Sequence, residues 1–324
     1  METKPLVTVA VTTYNSSAYV VETLDSIFGQ TYDGVALVIS DDCSTDDTVA
    51  VVSDWIGKEQ HQSRFHSIEL LTVPKNTGVS ANCNRCIAAA PSDWIKFIAG
   101  DDILLPDCLA DNMAFAAQNP QAHIVFSQVK VFQDTFEALN FKYLSPEIFP
   151  DNLMRKDLTA HDQYLLILVH DRINYTPSYI FNKKALLKVG GYDETNRLVE
   201  DYPMWLKLTK SGERLYYFHK PTVGYRIHSK AANNVGDQAL FKPSVFNSYQ
   251  IRKLAAHPFL PWEMVWSERF IHGVSRFFQN NGWNRNTKVL RSLYRLGSFY
   301  LNPFHYVYAI KKRLPGNRQH PFYL

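Results

Sequence analysis

The chain has few cysteines for its length: Cys43, Cys83, Cys86 and Cys108 in 324 residues. Cys83-x-x-Cys86 has the spacing of a redox pair or half a zinc site. However, no second Cys/His pair at metal spacing accompanies it, and it falls in an expected helix, so ordinary reduced thiols are read there. No run of about eighteen or more apolar residues occurs, which excludes a spanning helix of the ordinary hydropathic kind. The opening residues, Met1-Glu-Thr-Lys-Pro5, lack a basic stretch leading into an apolar one, so no secretory leader is expected. Internal repeats and low-complexity tracts are also missing. Negative charge nearly disappears late in the chain. From Met264 onward the only acid is Glu268, against ten Lys and Arg residues, a net +9 that leaves −6 for the rest of a chain totalling +3. That asymmetry predicts a basic appendage attracted to an anionic surface.

What is present describes an ordinary globular protein, 46% hydrophobic and 20% charged, large enough at 37.2 kDa to bury a full core. Over the first ~130 residues strand and helix patterns alternate, the signature of an α/β fold with a mostly parallel sheet. Leu6–Val11, Val35–Ile39, Ile68–Val73, Trp94–Ile98 and Ile124–Phe132 read as strands. Between them Val20, Leu24, Ile27 and Phe28 recur at helical spacing, and residues 79–90 and 109–118 read as helices. Residues 133–240 look mixed, with a strand over 179–182 and a helix over 201–210 stopped by Gly212. Residues 241–324 read as helices broken by Pro261, Gly282, Pro303 and Pro315, rich in aromatics and basic residues. The expected organisation is a domain over 1–240, split at about 132 into an alternating half and a mixed half, and a helical extension over 241–324.

Four stations carry candidate chemistry. Val9-Ala-Val-Thr-Thr-Tyr14-Asn15 ends a strand in small hydroxyl residues and an aromatic turn. Asp41-Asp42-Cys-Ser-Thr-Asp46 ends the next strand; its carboxylates either cap the following helix or accept hydrogen bonds from a base or ribose. Gly100-Asp101-Asp102 follows a third strand. One aspartate there can cap a turn before Pro106, whereas two suit a hard cation that prefers oxygen ligands and bridges to phosphates. Glu200-Asp201 opens a helix whose first turn contains Pro203, and serves either as a cap or as a general base. Ligands of open α/β sheets bind outside the carboxyl ends of the strands. Acidic pairs at that edge therefore predict a ligand with phosphates and a hydroxyl-rich part, which describes a sugar nucleotide.

In this order the stations resemble the family 2 glycosyltransferases of GT-A fold, the bacterial polysaccharide and lipopolysaccharide enzymes, from roughly Leu6 to His228. The resemblance rests on Val11-Thr-Thr-Tyr-Asn15, Ile39-Ser-Asp-Asp-Cys-Ser-Thr-Asp46, Asn76-Thr-Gly78-Val-Ser-Ala81, Phe97-Ile-Ala-Gly-Asp-Asp102, Gly190-Gly-Tyr-Asp193, Glu200-Asp201 and Tyr225-Arg-Ile-His228. It implies a Rossmann-like nucleotide-binding half and a mixed acceptor-side half. Thr12 and Tyr14 would line the base pocket, Asp42 would bind the uracil, and Asp101 would contact ribose or donor sugar. Asp102 would ligate Mn²⁺ or Mg²⁺, with His228 a candidate metal ligand, and Asp201 would be the catalytic base, with Glu200 the next candidate. Relatives often carry an arginine near the position of Cys83; here Arg85 is the nearest basic residue and the candidate for holding the nucleotide. The Gln-x-x-Arg-Trp sequence of processive members is missing, so transfer of a single sugar is expected.

The resemblance thus implies an inverting, metal-dependent, non-processive transfer from a UDP-sugar. The expected acceptor is a lipid-diphosphate-linked saccharide of an O-antigen or capsule unit, met at the inner face of the cell membrane by a peripheral cytoplasmic enzyme. The basic aromatic extension would touch the anionic membrane surface, and no nucleic-acid partner is expected. Two alternatives were weighed. A sugar-1-phosphate nucleotidyltransferase would show a Gly-rich, Arg- and Lys-bearing loop after the first strand, which Tyr14-Asn-Ser-Ser17 is not. A non-catalytic nucleotide- or carbohydrate-binding module has no need of every acidic station.

Overall fold

A computed structural model describes residues 4–169, 173–229, 231, 239–317 and 320–323. Met1 to Thr3 and Arg318 lie outside that set. The chain divides into two compact units, the first comprising residues up to 163 and 172–227, the second 164–171 and 228–324.

In the first unit the apolar runs over 7–13, 35–41 and 94–99 form strands that are largely buried on both faces, as parallel strands covered by helices require, while 68–72 lies more open at the sheet edge. Strands β1 (Val7–Thr13), β2 (Val35–Asp41), β3 (Ile68–Thr72) and β4 (Trp94–Ala99) are mutually parallel, in the order β3-β2-β1-β4. Every residue of β2 is buried. The interleaved helices are α1 (Val20–Phe28), α2 (Thr48–Ile56), α3 (Glu59–Arg64) and α4 (Val79–Ala89). Helix α1 packs through Val20, Leu24 and Ile27, all fully buried, which are the residues its helical spacing selects.

Beyond β4 the chain continues through β5 (Ile103–Leu104), α5 (Cys108–Gln118), β6 (Ile124–Gln133), β7 (Phe141–Ser145), α6 (Ala160–Val169), β8 (Ile180–Asn182), α7 (Lys183–Lys188), α8 (Asp201–Lys210) and β9 (Leu215–Ile227). Strand β8 joins β4 antiparallel, and the described sheet of nine strands runs on as β8-β6-β9-β5, with β7 beside β6. The sheet thus changes from parallel to mixed at β4/β8. Trp205 of α8 packs among Phe126, Tyr179 and Phe181 in a fully buried aromatic core.

Register places the chemistry. Thr13 lies opposite Asp41 and Thr12 opposite Ala99. The carboxyl ends of β1, β2 and β4 therefore finish level, and the residues after them, Tyr14-Asn15, Asp42 and Gly100-Asp101-Asp102, share one edge. Backbone bonds from Asp42 N to Thr13 O (3.0 Å) and from Gly100 N to Thr12 O (2.9 Å) keep them together.

The second unit contains α9 (Pro243–Ala255), α10 (Trp262–Asn280), α11 (Lys288–Arg295) and α12 (Pro303–Arg313), with a π turn over Leu296–Tyr300. Two of these helices start at side-chain caps: Thr287 accepts from Leu290 N at α11, and Asn302 accepts from Phe304 N at α12. Glu263, fully buried on α10, accepts from Lys311 Nζ of α12 at 2.8 Å and from Tyr323 Oη at 2.6 Å. His257 Nε2 and Glu268 meet at 2.8 Å. Among the described residues no helix is long and apolar enough to cross a membrane.

Candidate active site

The corner between β1 and β2 is a dense polar lattice. Asp41 takes Thr13 Oγ1 (2.8 Å), Ser44 Oγ (2.5 Å) and Ser44 N (2.8 Å). Asn15, whose φ of 53° suits an Asn turn, donates from its backbone N to Ser44 Oγ and accepts from Thr45 N, each at 2.8 Å. Asp46 accepts from Thr48 and Ser17, and those bonds outweigh burial to hold its carboxyl at about 2. Asp42 is buried and already served by donors. Thr77 N reaches both its oxygens at 3.0 Å, Thr77 Oγ1 one at 2.5 Å, Gly78 N the other at 2.7 Å, and Arg85 Nη2 closes an ion pair at 2.9 Å. Burial raises the Asp42 pKa, but these donors more than reverse it and the net direction is down.

Arg85 spends its guanidinium on the same lattice. Besides Asp42 it donates to Ser40 Oγ (3.1 Å), Thr77 Oγ1 (2.7 Å) and Asn82 Oδ1 (2.9 Å). Its visible work is to fix the Asn76-Thr-Gly78 turn against the end of β2. Gly78 has φ +93°, and a Cβ there would lie 2.8 Å from the Arg197 Cβ, so the turn admits only glycine without displacement. Tyr14, by contrast, is half exposed, and Thr12 is half-buried beside it, which leaves an aromatic face and a hydroxyl at the rim.

The third station differs within its pair. Asp101 is half-buried and Asp102 is buried. Arg226, itself buried near the end of β9, donates its backbone N to Asp102 Oδ1 (2.8 Å), Nε to the Asp101 carbonyl (2.8 Å) and Nη1 to the Asp134 carbonyl (2.6 Å), and it pairs with Glu22. Thr23 Oγ1 donates to the Asp102 carbonyl at 2.7 Å. Burial, then the neighbouring Asp101 charge, pushes the Asp102 carboxyl well above the ordinary range; the bond from Arg226 N only moderates this. The donor set is oxygen only, which suits a hard cation, and a bound cation would relieve the strain of burying this carboxylate. Among the described residues no group of three or more His, Cys, Asp or Glu gathers into a metal cage. Remaining ligands would therefore come from water or substrate phosphates, as is usual for Mg²⁺.

The fourth station begins α8. Glu200 is the N-cap residue and Asp201 the first helical one, and the Glu200 side chain makes no capping bond. Both side chains are partly accessible. Burial, then the charge of Glu200 and its hydrogen bond, drive the Asp201 carboxyl far above its usual range; burial also raises Glu200. The same two charges, after burial, raise the Cys83 thiol, and they contribute to the elevation of Tyr179, whose hydroxyl lies 3.0 Å from that of Tyr192. A carboxylate with raised proton affinity is the stronger base, suited to take a proton from a hydroxyl during attack.

His228 is buried, follows the last residue of β9 and is counted with the second unit, so the site of the first unit is described without it. Cys83 and Cys86 are free thiols buried in α4. Sequence reading gave no role to Arg226, although a lone arginine inside Tyr225-Arg-Ile-His228 is a signal. It also passed over Lys96, a buried lysine in the apolar strand β4. Its Nζ donates to the carbonyls of Pro177 (2.7 Å) and Tyr179 (3.0 Å), and burial lowers its pKa to about 8.

Comparison with known proteins agrees with this geometry. An uncharacterized glycosyltransferase of Rickettsia typhi is 22% identical over 293 residues, covering 88% of this chain and 83% of the relative. TuaG of Bacillus subtilis, a glycosyltransferase provisionally assigned to teichuronic acid biosynthesis, is 24% identical over 69% of this chain and 80% of its own. The crystal structure of S. aureus TarS 1–349 in complex with UDP-GlcNAc superposes with a TM-score of 0.56 at 17% identity, over 90% of this chain and 79% of that one. The mannosyltransferase PcManGT of Pyrobaculum calidifontis, in complex with GDP-Man and Mn²⁺, gives 0.52 at 16% identity, over 95% and 75%. These likenesses show the GT-A fold. The sequence profile of Glycosyl transferase family 2 matches residues 8–174, and the chain belongs to that family of glycosyltransferases.

Proposed function

We propose that this glycosyltransferase moves one sugar from a UDP-sugar to a hydroxyl of a lipid-diphosphate-linked saccharide in surface-polysaccharide synthesis, with inversion at the anomeric carbon. The observation that carries the reading is the Glu200-Asp201 pair, partly accessible and with the Asp201 proton affinity raised. Asp201 accepts the proton of the acceptor hydroxyl as that oxygen attacks the face opposite the leaving UDP. Tyr14 offers its exposed ring to the base and Thr12 its hydroxyl beside it. Asp42 and Arg85 hold the wall of the nucleotide pocket. Asp101, the more accessible of its pair, faces ribose, donor sugar or cation, and Asp102 stands behind it as the buried carboxyl that a bound cation would hold in its charged form. Mn²⁺ or Mg²⁺ held by this pair would neutralise the charge developing on UDP. The nucleotide-sugar complexes of TarS and PcManGT support a sugar-nucleotide donor, and the TuaG relative supports a polysaccharide product.

Part of this reading concerns the second unit. Val289, Leu293, Leu296 and Tyr300 are all exposed at spacings that draw one stripe, and so are Tyr306, Ile310 and Leu314. The exposed Lys288, Arg291 and Arg313 accompany them. Apolar stripes with basic flanks fit an anionic membrane surface at the inner face, where a lipid-linked acceptor is met. The function is tested by UDP release from UDP-Glc, UDP-Gal, UDP-GlcNAc and UDP-GalNAc with a bacterial membrane extract as acceptor source. Extract-dependent release with one donor, lost in Asp201→Asn, is expected. UDP binding without release from any donor would replace the enzyme reading with that of a binding module.

A further inference from the structure

Helix α4 carries two successive polar residues that engage opposite sides of the site. Arg85 holds Asp42 and the Asn76–Gly78 turn, as described above. Asn84 instead grips the loop that leads to Glu200-Asp201. Its Oδ1 accepts from Tyr192 N at 2.8 Å, and its Nδ2 donates to Tyr192 O at 3.0 Å and to Glu194 Oε1 at 2.8 Å. This paired contact to one backbone residue requires the neighbouring backbone to come close. Gly191 has φ +68°, and a Cβ there would fall 2.6 Å from Asn84 Oδ1. The loop is tied again further along. Ser80 Oγ donates to Asn196 O (2.7 Å), Val79 N to Arg197 O (3.3 Å), and Arg197 Nη2 to both Asn76 O and its Oδ1 (2.8 Å each). From the far side, Lys207 of α8 donates Nζ to Gly191 O at 2.5 Å. The Glu200-Asp201 pair at the head of α8 is thus suspended between its own helix and α4.

We propose that α4 is a strut that holds the base in register with the nucleotide side, with Asn84 a positioning residue for Asp201 and Arg85 a positioning residue for the Asp42 wall. The proposal rests on Asp201 being the base. Neither residue touches the reacting atoms. Asn84 can donate and accept at once, which a backbone N–H and C=O on one residue demand. An aspartate of the same shape accepts from Tyr192 N but meets Tyr192 O and Glu194 with repulsion.

The two sides of the strut separate kinetically. Asn84→Asp should lower kcat about 10- to 100-fold, as a misplacement of the base by about 1 Å would, while UDP affinity measured by calorimetry stays within about 3-fold. Adding Glu194→Gln should recover part of kcat, because it removes the like-charge pair and supplies an amide donor to the introduced carboxylate. Arg85→Met should show the reverse pattern, with UDP affinity falling and kcat at saturation less affected. Turnover is read as UDP release from whichever of the four UDP-sugars serves best, with thermal midpoints recorded alongside. Wild-type kcat in Asn84→Asp overturns the proposal. So does a parallel loss of kcat, UDP affinity and thermal midpoint that Glu194→Gln does not relieve. Should Asn84→Asp not fold, Arg197→Met cuts the second tie of the same loop and must lower kcat selectively; an unchanged kcat there overturns it. Asp201→Asn is the control: full turnover in that variant refutes the base assignment itself, whereas an inactive Asp201→Asn beside a fully active Asn84→Asp refutes only the strut.

Discussion

Asp42 and Asp201 look alike in the sequence, each the second acid of a pair near a strand or helix end, yet their surroundings drive them in opposite directions. Asp42 is met by Thr77, Gly78 and Arg85, and its proton affinity falls despite burial. Asp201 is met by burial and by the carboxyl of Glu200, and its proton affinity rises far above the ordinary range. A carboxylate saturated with donors is a structural anion that fixes a turn. A carboxylate set against burial and a neighbouring acid holds its proton more tightly than an ordinary one. The difference teaches that an acidic pair announces a site, while the donors gathered around it decide its task.

The comparison breaks first at the base. Asp201→Asn should reduce kcat on the order of 10²–10⁴-fold with UDP affinity nearly kept; lost UDP-sugar binding with unchanged turnover at saturation would make Asp201 a donor ligand and Glu200 the better base. Asp102→Asn should remove the Mn²⁺ response and weaken UDP binding. It should nonetheless leave the thermal midpoint unchanged or higher, since neutralising a carboxylate that burial disfavours relieves the fold. Near-wild-type activity at saturating Mn²⁺ would remove Asp102 from the cation site.

Asp42→Asn should do the opposite, because it strands Arg85 in the lattice. Breaking one partner of a largely buried pair costs about 3 kcal/mol, read as a thermal midpoint lower by roughly 6–12 °C; an unchanged midpoint would show that the lattice does not depend on the charge. The pH dependence separates the two carboxylates again. Asp201 keeps its proton in the fold above the pH at which the unfolded chain releases it. The folded state therefore binds more protons in that interval, and stability falls as pH rises through the raised pKa, while kcat rises as the base ionises. Asp42, with its pKa lowered, contributes stability above the ordinary carboxylate range that is lost as pH falls through its folded value. Denaturation followed across pH should show the stability loss with rising pH shrink in Asp201→Asn, with Glu200 and Asp102 supplying the remainder, and the loss with falling pH shrink in Asp42→Asn.

The smallest effect concerns the second unit. Replacing the exposed Lys288, Arg291 and Arg313 with Gln should reduce sedimentation with anionic vesicles at low salt by about 1 kcal/mol per charge removed, with little change on a soluble short-chain acceptor. Equal sedimentation of variant and parent would refute the membrane contact.

Much of this was legible in the residues. Val7, Val9 and Val11, the wholly apolar Val35–Ile39 and, apart from Lys96, Trp94–Ile98 announce buried parallel strands by composition alone, because a strand covered on both faces has little polar face to show. The acidic pairs followed from their places at strand ends. The extents were less legible: β2 runs through Asp41, and the strand over 179–182 begins at Ile180. The resemblance assigns Arg85 to the nucleotide, and the fold adds that its guanidinium engages Asp42, Ser40, Thr77 and Asn82. Periodicity does not reveal which partners a side chain reaches around a turn.

The chain by itself determined the α/β alternation, the edge on which the acids stand and the basic, aromatic character of its last helices, because hydrophobic period and strand-end position are local properties. Tertiary structure alone decided that Arg226 would brace Asp101-Asp102 from residues more than a hundred positions away, that Asn84 would seize Tyr192, and that one aspartate would hold its proton loosely and another tightly. Those outcomes depend on burial and on donors from distant segments: the several donors around Asp42 reverse the effect of its burial, whereas the one from Arg226 only moderates that of Asp102.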